Sequence, residues 1–157
     1  MDPLAQELGR RLGEKQAFLA VAESCTGGLV AKRVTDVAGS SGWFERGLVV
    51  YSNQAKQDLL GISGDLLARF GAVSRECAEA MARGVLVMTP AQWAIAVTGI
   101  AGPGGGSPEK PVGLVWVAWE QRGGKVEAEA LQLAGSREQV RAGAAQAALA
   151  GLLKRLG

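Results

Sequence analysis

The chain has 157 residues, of which 48% are hydrophobic and 20% are charged. These values are typical of one globular domain, here expected to span residues 1–157, and they exclude a disordered or collagen-like chain. Histidine is absent from the sequence, which excludes a Ser-His-Asp triad, a Cys-His dyad and any metal site that depends on imidazole.

Charge and cysteine content narrow the class of protein further. The net charge is only +2, and no run of basic residues occurs, so nucleic acid is not expected as a partner. The N-terminus lacks the apolar stretch of a signal peptide, and no segment is long and apolar enough to cross a membrane. Cys25 and Cys77 form no metal-binding motif, so neither a zinc nor an iron–sulfur site is expected, and no cofactor is expected either. The presence of only two cysteines in the chain favours a reduced cytoplasmic protein, although one disulfide between them stays open.

The first third of the chain alternates helical and strand patterns. Leucines recur every four residues from Leu4 to Leu12 and predict an amphipathic helix. Residues 17–22 are all apolar and predict a strand that is buried on both faces. A helix from residue 29 to about residue 37 follows, and residues 47–51 predict a second strand.

The middle of the chain continues this alternation. Ser52 or Asn53 is expected to cap a short helix that carries Lys56, and Ser74 is expected to begin another helix. Residues 92–97 predict a third buried strand.

The last third contains two strands in succession. Residues 112–119 and 126–130 predict strands that are joined by a turn at Gly123 and Gly124, and Ser136 begins a capping box for the last helix. The pattern as a whole predicts an α/β protein, a three-layer α/β/α sandwich with a mixed, mostly parallel sheet of about five strands. The two-glycine hairpin should place an antiparallel pair at one end of that sheet.

Two segments combine a buried strand with hydroxyl residues and glycine. The first places Ser24 and Thr26 before two glycines, and the second places Thr98 before Gly99. Because ligands collect at the carboxyl ends of parallel strands, we expect both segments to contribute to a binding site.

The residues after the first strand allow more than one interpretation. The N–H groups of Gly27 and Gly28 are candidates to hold an anion or a developing oxyanion at a helix N-terminus. The alternative is that Ser24 or Thr26 only caps the helix. Cys25 is more typical of a small buried residue than of a nucleophile, since no histidine is available to activate it.

Lys56 is a candidate general base. It falls near the first turn of its predicted helix, where the helix dipole disfavours the ammonium form, and burial would lower its pKa further. A neutral lysine can activate a serine where histidine is absent. The alternative for Lys56 is a solvated surface lysine.

Tyr51 also has two interpretations. It is either a strand residue with a buried ring or a residue whose hydroxyl is directed into the site.

Phosphate has two candidate binding elements. Residues 99–110 are rich in glycine and proline but match neither a P-loop nor a dinucleotide motif, so they form either a nest of N–H groups or a plain crossover. Arg137 and Arg141 lie one turn apart on the last helix, where they either clamp a phosphate or line a solvated face.

The chain resembles the CinA C-terminal-domain family, the nicotinamide-nucleotide amidases of PncC type, in several separate motifs that occur in the family's order. They cover nearly the whole chain. The matching segments are residues 22–28, 51–53 with Lys56, 71–74, 97–105 and 110–113, and the helix with Arg137 and Arg141.

The resemblance implies hydrolysis of nicotinamide mononucleotide to nicotinic acid mononucleotide and ammonia. It also implies Ser24 as nucleophile and Lys56 as base, with Tyr51 and Thr98 supporting the site. Glu23 and an aromatic face are the alternative candidate partners for the cationic nicotinamide ring. The residues expected to bind the substrate are Glu23, Thr26, Gly27, Gly28, Asn53, Gly99, Ala101, Gly102, Gly104, Gly105, Arg137 and Arg141.

Two further alternatives stay open on the sequence. The chain could be a pyridine-nucleotide-binding or regulatory domain without turnover, although a pure binder needs neither Ser24 nor Lys56. It could also form a homodimer or higher homo-oligomer, since five aromatic residues supply either an interface or core. These are Trp43, Phe44, Trp93, Trp116 and Trp119.

Overall fold

A computed structural model describes residues 2–157, which form six α-helices and five strands. The helices are α1 (Pro3–Glu14), α2 (Leu29–Thr35), α3 (Asn53–Leu60), α4 (Gly64–Phe70), α5 (Arg75–Met88) and α6 (Arg137–Leu156). The strands are β1 (Leu19–Glu23), β2 (Phe44–Val49), β3 (Trp93–Gly99), β4 (Leu114–Gln121) and β5 (Val126–Gln132). Within residues 2–157 no helix combines the length and the apolar character needed to cross a membrane.

The strands form one sheet in the order β2-β1-β3-β4-β5. Strand β1 is parallel to both of its neighbours, whereas β4 is antiparallel to β3 and to β5. Four of the five strands therefore run in the same direction, and the predicted mixed, mostly parallel sheet is confirmed. The predicted antiparallel hairpin is also confirmed, as the β4–β5 pair at one edge.

The two faces of the sheet carry side chains of different size. Successive residues of a strand point to opposite faces. In β1 and β3 the leucine, valine and isoleucine side chains pack with α1, α2 and α6. The intervening alanines pack with α3, α4 and α5. The three-layer architecture is therefore confirmed, and the small alanine face allows α5 to approach the sheet closely.

Three of the five aromatic residues noted in the sequence belong to the core. Trp43, Trp93 and Trp119 are at most 7% exposed, so the core alternative is correct for them. The other two are partly buried. Phe44 packs against the core on the face of the sheet covered by α1, α2 and α6, and Trp116 packs against the core on the opposite face.

The sequence patterns missed or misplaced some elements. Helix α4 and a short 3-10 turn (Ser40–Gly42) were not predicted, although Ser63 caps α4 by accepting a hydrogen bond from the Leu66 N–H at 3.1 Å. Strand β2 begins three residues before residue 47, where the pattern placed it. The reason is that β2 is a partly exposed edge strand. The charged residues Glu45 and Arg46 at its start interrupt the apolar pattern by which a buried strand is recognised.

Candidate active site

The ends of two neighbouring parallel strands bring the predicted hydroxyl residues together. Strands β1 and β3 are paired so that Glu23 lies opposite Val97. Ser24 directly follows Glu23, and its N–H donates to the Val97 carbonyl at 2.9 Å. Thr98 directly follows Val97, so Ser24 and Thr98 lie side by side at the carboxyl edge of the sheet. The sequence placed each at the end of a strand but did not predict that the two strands are neighbours.

Lys56 extends to the same place from α3. Ser52 is the N-cap of this helix and accepts a hydrogen bond from the Ala55 N–H at 3.0 Å. Lys56 is only 1% exposed, so the alternative of a solvated surface lysine is wrong. Its Nζ lies 3.1 Å from the Oγ of Ser24, 3.0 Å from the Val50 carbonyl oxygen and 3.1 Å from the Tyr51 carbonyl oxygen.

The surroundings of Lys56 favour the neutral amine. Burial lowers its pKa, and within residues 2–157 no carboxylate lies within ion-pair distance of its Nζ. Burial also raises the pKa of the Cys25 and Cys77 thiols to about 11, so neither is an anion at neutral pH. A neutral amine has two N–H donors for the two carbonyls and one lone pair for the Ser24 hydroxyl, which matches the three partners present.

A cavity of about 200 Å³ opens beside this pair. Arg137 brings a guanidinium to the cavity, and among residues 2–157 no carboxylate lines it, so the cavity suits a ligand that carries negative charge. The lining residues are Ser24, Cys25, Tyr51, Asn53, Lys56, Ala72, Val73, Thr98, Gly99, Ala101 and Arg137.

Arg137 connects two segments at the cavity. Its Nη1 donates to the Gly102 carbonyl at 2.8 Å, and its Nη2 donates to the Tyr51 hydroxyl at 3.1 Å. Tyr51 is 60% exposed, so the alternative of a buried strand tyrosine is wrong. Thr98, by contrast, is buried, and its hydroxyl donates to the Ala72 carbonyl at 2.8 Å.

Eight of the residues predicted for the site line the cavity, and eight others do not. Those outside the lining are Glu23, Thr26, Gly27, Gly28, Gly102, Gly104, Gly105 and Arg141. Gly102 still contributes its carbonyl to Arg137. Gly104 and Gly105 are exposed, and neither has a polar contact with a cavity residue.

The expected anion-binding role of Gly27 and Gly28 is corrected by their hydrogen bonds. The Gly27 N–H donates to the Ser24 carbonyl at 3.1 Å, and the Gly28 N–H donates to the Glu23 carboxylate at 3.2 Å. Both donors are therefore already used inside the protein. The alternative that Ser24 or Thr26 only caps the helix is also wrong. The N-cap of α2 is Gly28, and no side chain accepts the capping hydrogen bond there.

Glu23 and Arg141 are corrected for a similar reason. The Glu23 side chain is buried and accepts only hydrogen bonds from its own chain, so it is not available to a nicotinamide ring. The Arg141 guanidinium donates to two backbone carbonyls rather than projecting into the cavity.

Gly99 is required for packing rather than for access of a ligand to the backbone. A Cβ at this position would lie 2.7 Å from Cγ2 of Val115 and 2.8 Å from the Leu114 carbonyl oxygen. The glycine therefore lets β3 and β4 approach each other where the cavity begins.

Some site contributions gave no signal in the sequence. Ala72 and Val73 line the cavity, and the carbonyls of Val50 and Ala72 accept hydrogen bonds from Lys56 and Thr98. Small apolar side chains and backbone carbonyls occur throughout the chain and form no recognisable motif. Only the tertiary structure therefore shows that these particular groups contribute to the site. Within residues 2–157 no three Cys, Asp or Glu side chains are grouped as metal ligands would be.

Comparisons with known proteins identify the family of this chain. A family model described as the CinA C-terminal domain matches residues 1–156. A Pseudomonas putida protein named nicotinamide-nucleotide amidohydrolase PncC is 50% identical over 157 residues, which cover 98% of each chain. A CinA-like protein of Akkermansia muciniphila is 52% identical over 90% of this chain, but the match spans only 34% of that longer protein. The crystal structure of the competence/damage inducible protein CihA from Agrobacterium tumefaciens superimposes with a TM-score of 0.94 at 45% identity, covering 96% of this chain and 92% of that one.

Proposed function

Because this chain belongs to the CinA C-terminal domain family, we propose that it hydrolyses nicotinamide mononucleotide to nicotinic acid mononucleotide and ammonia, as a step of pyridine nucleotide salvage. The observation that carries the proposal is the buried Lys56 amine 3.1 Å from the Ser24 hydroxyl at the cavity. A relative with that activity in its name, 50% identical over nearly its full length, supports the choice of substrate.

The reaction begins with Lys56 as general base. Its neutral amine takes the Ser24 proton, and the Ser24 Oγ attacks the carboxamide carbon of the substrate. The two carbonyls of Val50 and Tyr51 hold the amine in place and accept hydrogen bonds from it in both protonation states. The ammonium form of Lys56 then returns the proton to the leaving nitrogen, the C–N bond breaks, and ammonia departs. Water hydrolyses the remaining Ser24 ester to the acid.

The developing oxyanion needs donors other than Gly27 and Gly28. Within residues 2–157 the N–H groups of Cys25 and Thr26 donate to no other group, and Cys25 lines the cavity beside Ser24. We assign the oxyanion to the Cys25 N–H, because Cys25 lines the cavity whereas Thr26 is fully buried outside the lining, and a donor with no competing acceptor stabilises charge as it forms.

Arg137 is the candidate partner for the 5′-phosphate. It lies at the cavity, and no carboxylate among residues 2–157 is within ion-pair distance of its guanidinium. Its present partners, a carbonyl and a hydroxyl, are neutral acceptors that a phosphate can replace. The carboxamide and ring then occupy the inner cavity, and the phosphate lies at its exposed side.

The test is ammonia release from nicotinamide mononucleotide by the wild type, Ser24→Ala and Lys56→Met. Both variants should lose activity, with circular dichroism showing an intact fold. Ser41→Ala and Lys125→Met are matched controls, because both residues are exposed, and they should keep wild-type rates. Activity that survives in Ser24→Ala would reject the nucleophile. A wild type that binds the nucleotide but releases no ammonia would instead favour the binding or regulatory domain.

A further inference from the structure

Two oppositely charged side chains hold the turn that carries Ser24. We call residues 24–28, between β1 and α2, the nucleophile turn. Glu23 precedes the turn at the end of β1, and Arg141 reaches it from α6, a helix more than one hundred residues later in the chain. Neither side chain lines the cavity.

Both oxygens of the Glu23 carboxylate accept hydrogen bonds from the nucleophile turn and from the start of α2. Its Oε1 accepts from the Thr26 hydroxyl at 2.5 Å, from the Gly28 N–H at 3.2 Å and from the Val30 N–H at 3.0 Å. Its Oε2 accepts from the Ala31 N–H at 3.0 Å. The side chain is 1% exposed, so these four donors take the place of water for the buried carboxylate.

Arg141 holds the carbonyl side of the same turn. Its Nε donates to the Cys25 carbonyl at 3.1 Å, and its Nη2 donates to the Thr26 carbonyl at 3.1 Å. The guanidinium has a planar fork of donors, so two bonds to adjacent carbonyls fix both the position and the rotation of these peptide groups. Arg137, one turn earlier on α6, has no hydrogen bond to the turn.

We propose that Glu23 and Arg141 are positioning residues that fix the nucleophile turn so that the Ser24 Oγ faces Lys56, and that neither binds substrate. The anion binds N–H and O–H groups of the turn, whereas the cation binds its carbonyls. This division leaves the N–H groups of Cys25 and Thr26 without a competing acceptor. The inference rests on the Ser24–Lys56 pair of the proposed function, and it assigns Glu23 and Arg141 a role that differs from substrate binding.

The two roles predict different kinetic changes. A positioning role acts on the geometry of Ser24, so Glu23→Gln and Arg141→Ala should lower kcat by about 10-fold to 100-fold and leave KM nearly unchanged. In Glu23→Gln an amide NH₂ replaces one acceptor oxygen and opposes an N–H donor. Arg141→Lys should recover part of the loss in Arg141→Ala, because one ammonium can still bond one carbonyl. Contacts with a pyridinium ring or a phosphate would instead raise KM.

A second readout makes the test independent of the substrate. The rate at which a fluorophosphonate reagent labels Ser24 measures the reactivity of the hydroxyl without nicotinamide mononucleotide. It should fall in parallel with kcat in Glu23→Gln and Arg141→Ala. Glu138→Gln and Arg10→Lys are matched controls on exposed helix positions and should label at the wild-type rate.

The outcomes separate this inference from the proposed function. If the wild type labels but releases no ammonia, the substrate assignment fails, and the labelling rates still test the positioning. If the wild type does not label, the Ser24–Lys56 pair is wrong and the positioning role is overturned with it. Wild-type labelling rates in both variants, or a raised KM with unchanged kcat, would also overturn it.

Thr26→Val keeps the inference testable if Glu23→Gln does not fold. The substitution is nearly isosteric and removes one of the four donors to Glu23. It should lower kcat and the labelling rate by a smaller factor than Glu23→Gln, again without a change in KM. Unchanged kcat and labelling in a folded Thr26→Val would count against the role of Glu23.

Discussion

The Nζ of Lys56 lies 3.1 Å from the Oγ of Ser24, although the two residues are 32 positions apart in the chain. They meet because the Val50 N–H donates to the Glu23 carbonyl at 2.8 Å, which holds the segment after β2 beside the end of β1. Helix α3 begins three residues later and directs Lys56 inwards. The position of the amine therefore depends on the β1–β2 pairing and on the Ser52 cap together.

Activity should rise with pH through the pKa of Lys56. Burial lowers that pKa from its ordinary value of 10.5, and only the neutral amine accepts the Ser24 proton, so kcat/KM increases as the ammonium form is lost. A profile of kcat/KM from about pH 5 to about pH 10 should show an ascending limb with its midpoint below 10.5. Lys56→Arg, which stays protonated, should show no such limb. An ascending limb that persists in Lys56→Arg would assign the titration to another group.

Cys25 should be dispensable even though it lines the cavity beside Ser24. Its thiol is buried, and its pKa of about 11 leaves almost no thiolate at neutral pH. We expect Cys25→Ala to keep most of the activity and the folded wild type to resist iodoacetamide. Ammonia release and mass spectrometry of the treated protein measure the two effects. Rapid inactivation that Cys25→Ala abolishes would instead indicate a thiol nucleophile.

Tyr51 should act through its backbone more than through its hydroxyl. Tyr51→Phe keeps the carbonyl that holds Lys56 but removes the hydroxyl that accepts from Arg137. One such hydrogen bond contributes about 0.5–1.5 kcal/mol, and the phosphate replaces it on binding, so KM should fall by about 2-fold to 10-fold while kcat stays near the wild-type value. Steady-state kinetics on nicotinamide mononucleotide test this expectation. A large fall in kcat would show that the hydroxyl takes part in the chemistry.

Gly84 should control how closely α3 approaches α5. A Cβ at Gly84 would lie 2.5 Å from the Leu60 carbonyl oxygen at the end of α3. Gly84→Ala should therefore destabilise the protein by about 1–3 kcal/mol, and it should lower activity because α3 carries Lys56. The matched control is Gly13→Ala on α1, where the added Cβ would have no atom within 4 Å from residues 2–157 beyond its own chain neighbours and helix backbone. Urea unfolding should show that the control is at least as stable as the wild type.

The sequence was sufficient for the order and type of most elements. Buried strands, the Ser52 cap and the Ser136 capping box are local signals, since they depend on residues within a few positions of one another. Strand β2 was placed less accurately, and α4 was missed, because an exposed edge strand and a seven-residue helix have weak periodicity.

For the site, the sequence supplied the candidate chemical groups, and the tertiary structure decided which of them meet at the cavity. Ser24, Lys56, Thr98 and Arg137 were recognisable from residue type, motif and the absence of histidine. Glu23 has the same carboxylate wherever it lies, and only the fold shows that four donors of its own chain use it. The hydrogen bonds and burial of the side chains on α3 and α6 depend on contacts between segments that are distant in the chain. A linear pattern of residue types does not contain information about such contacts.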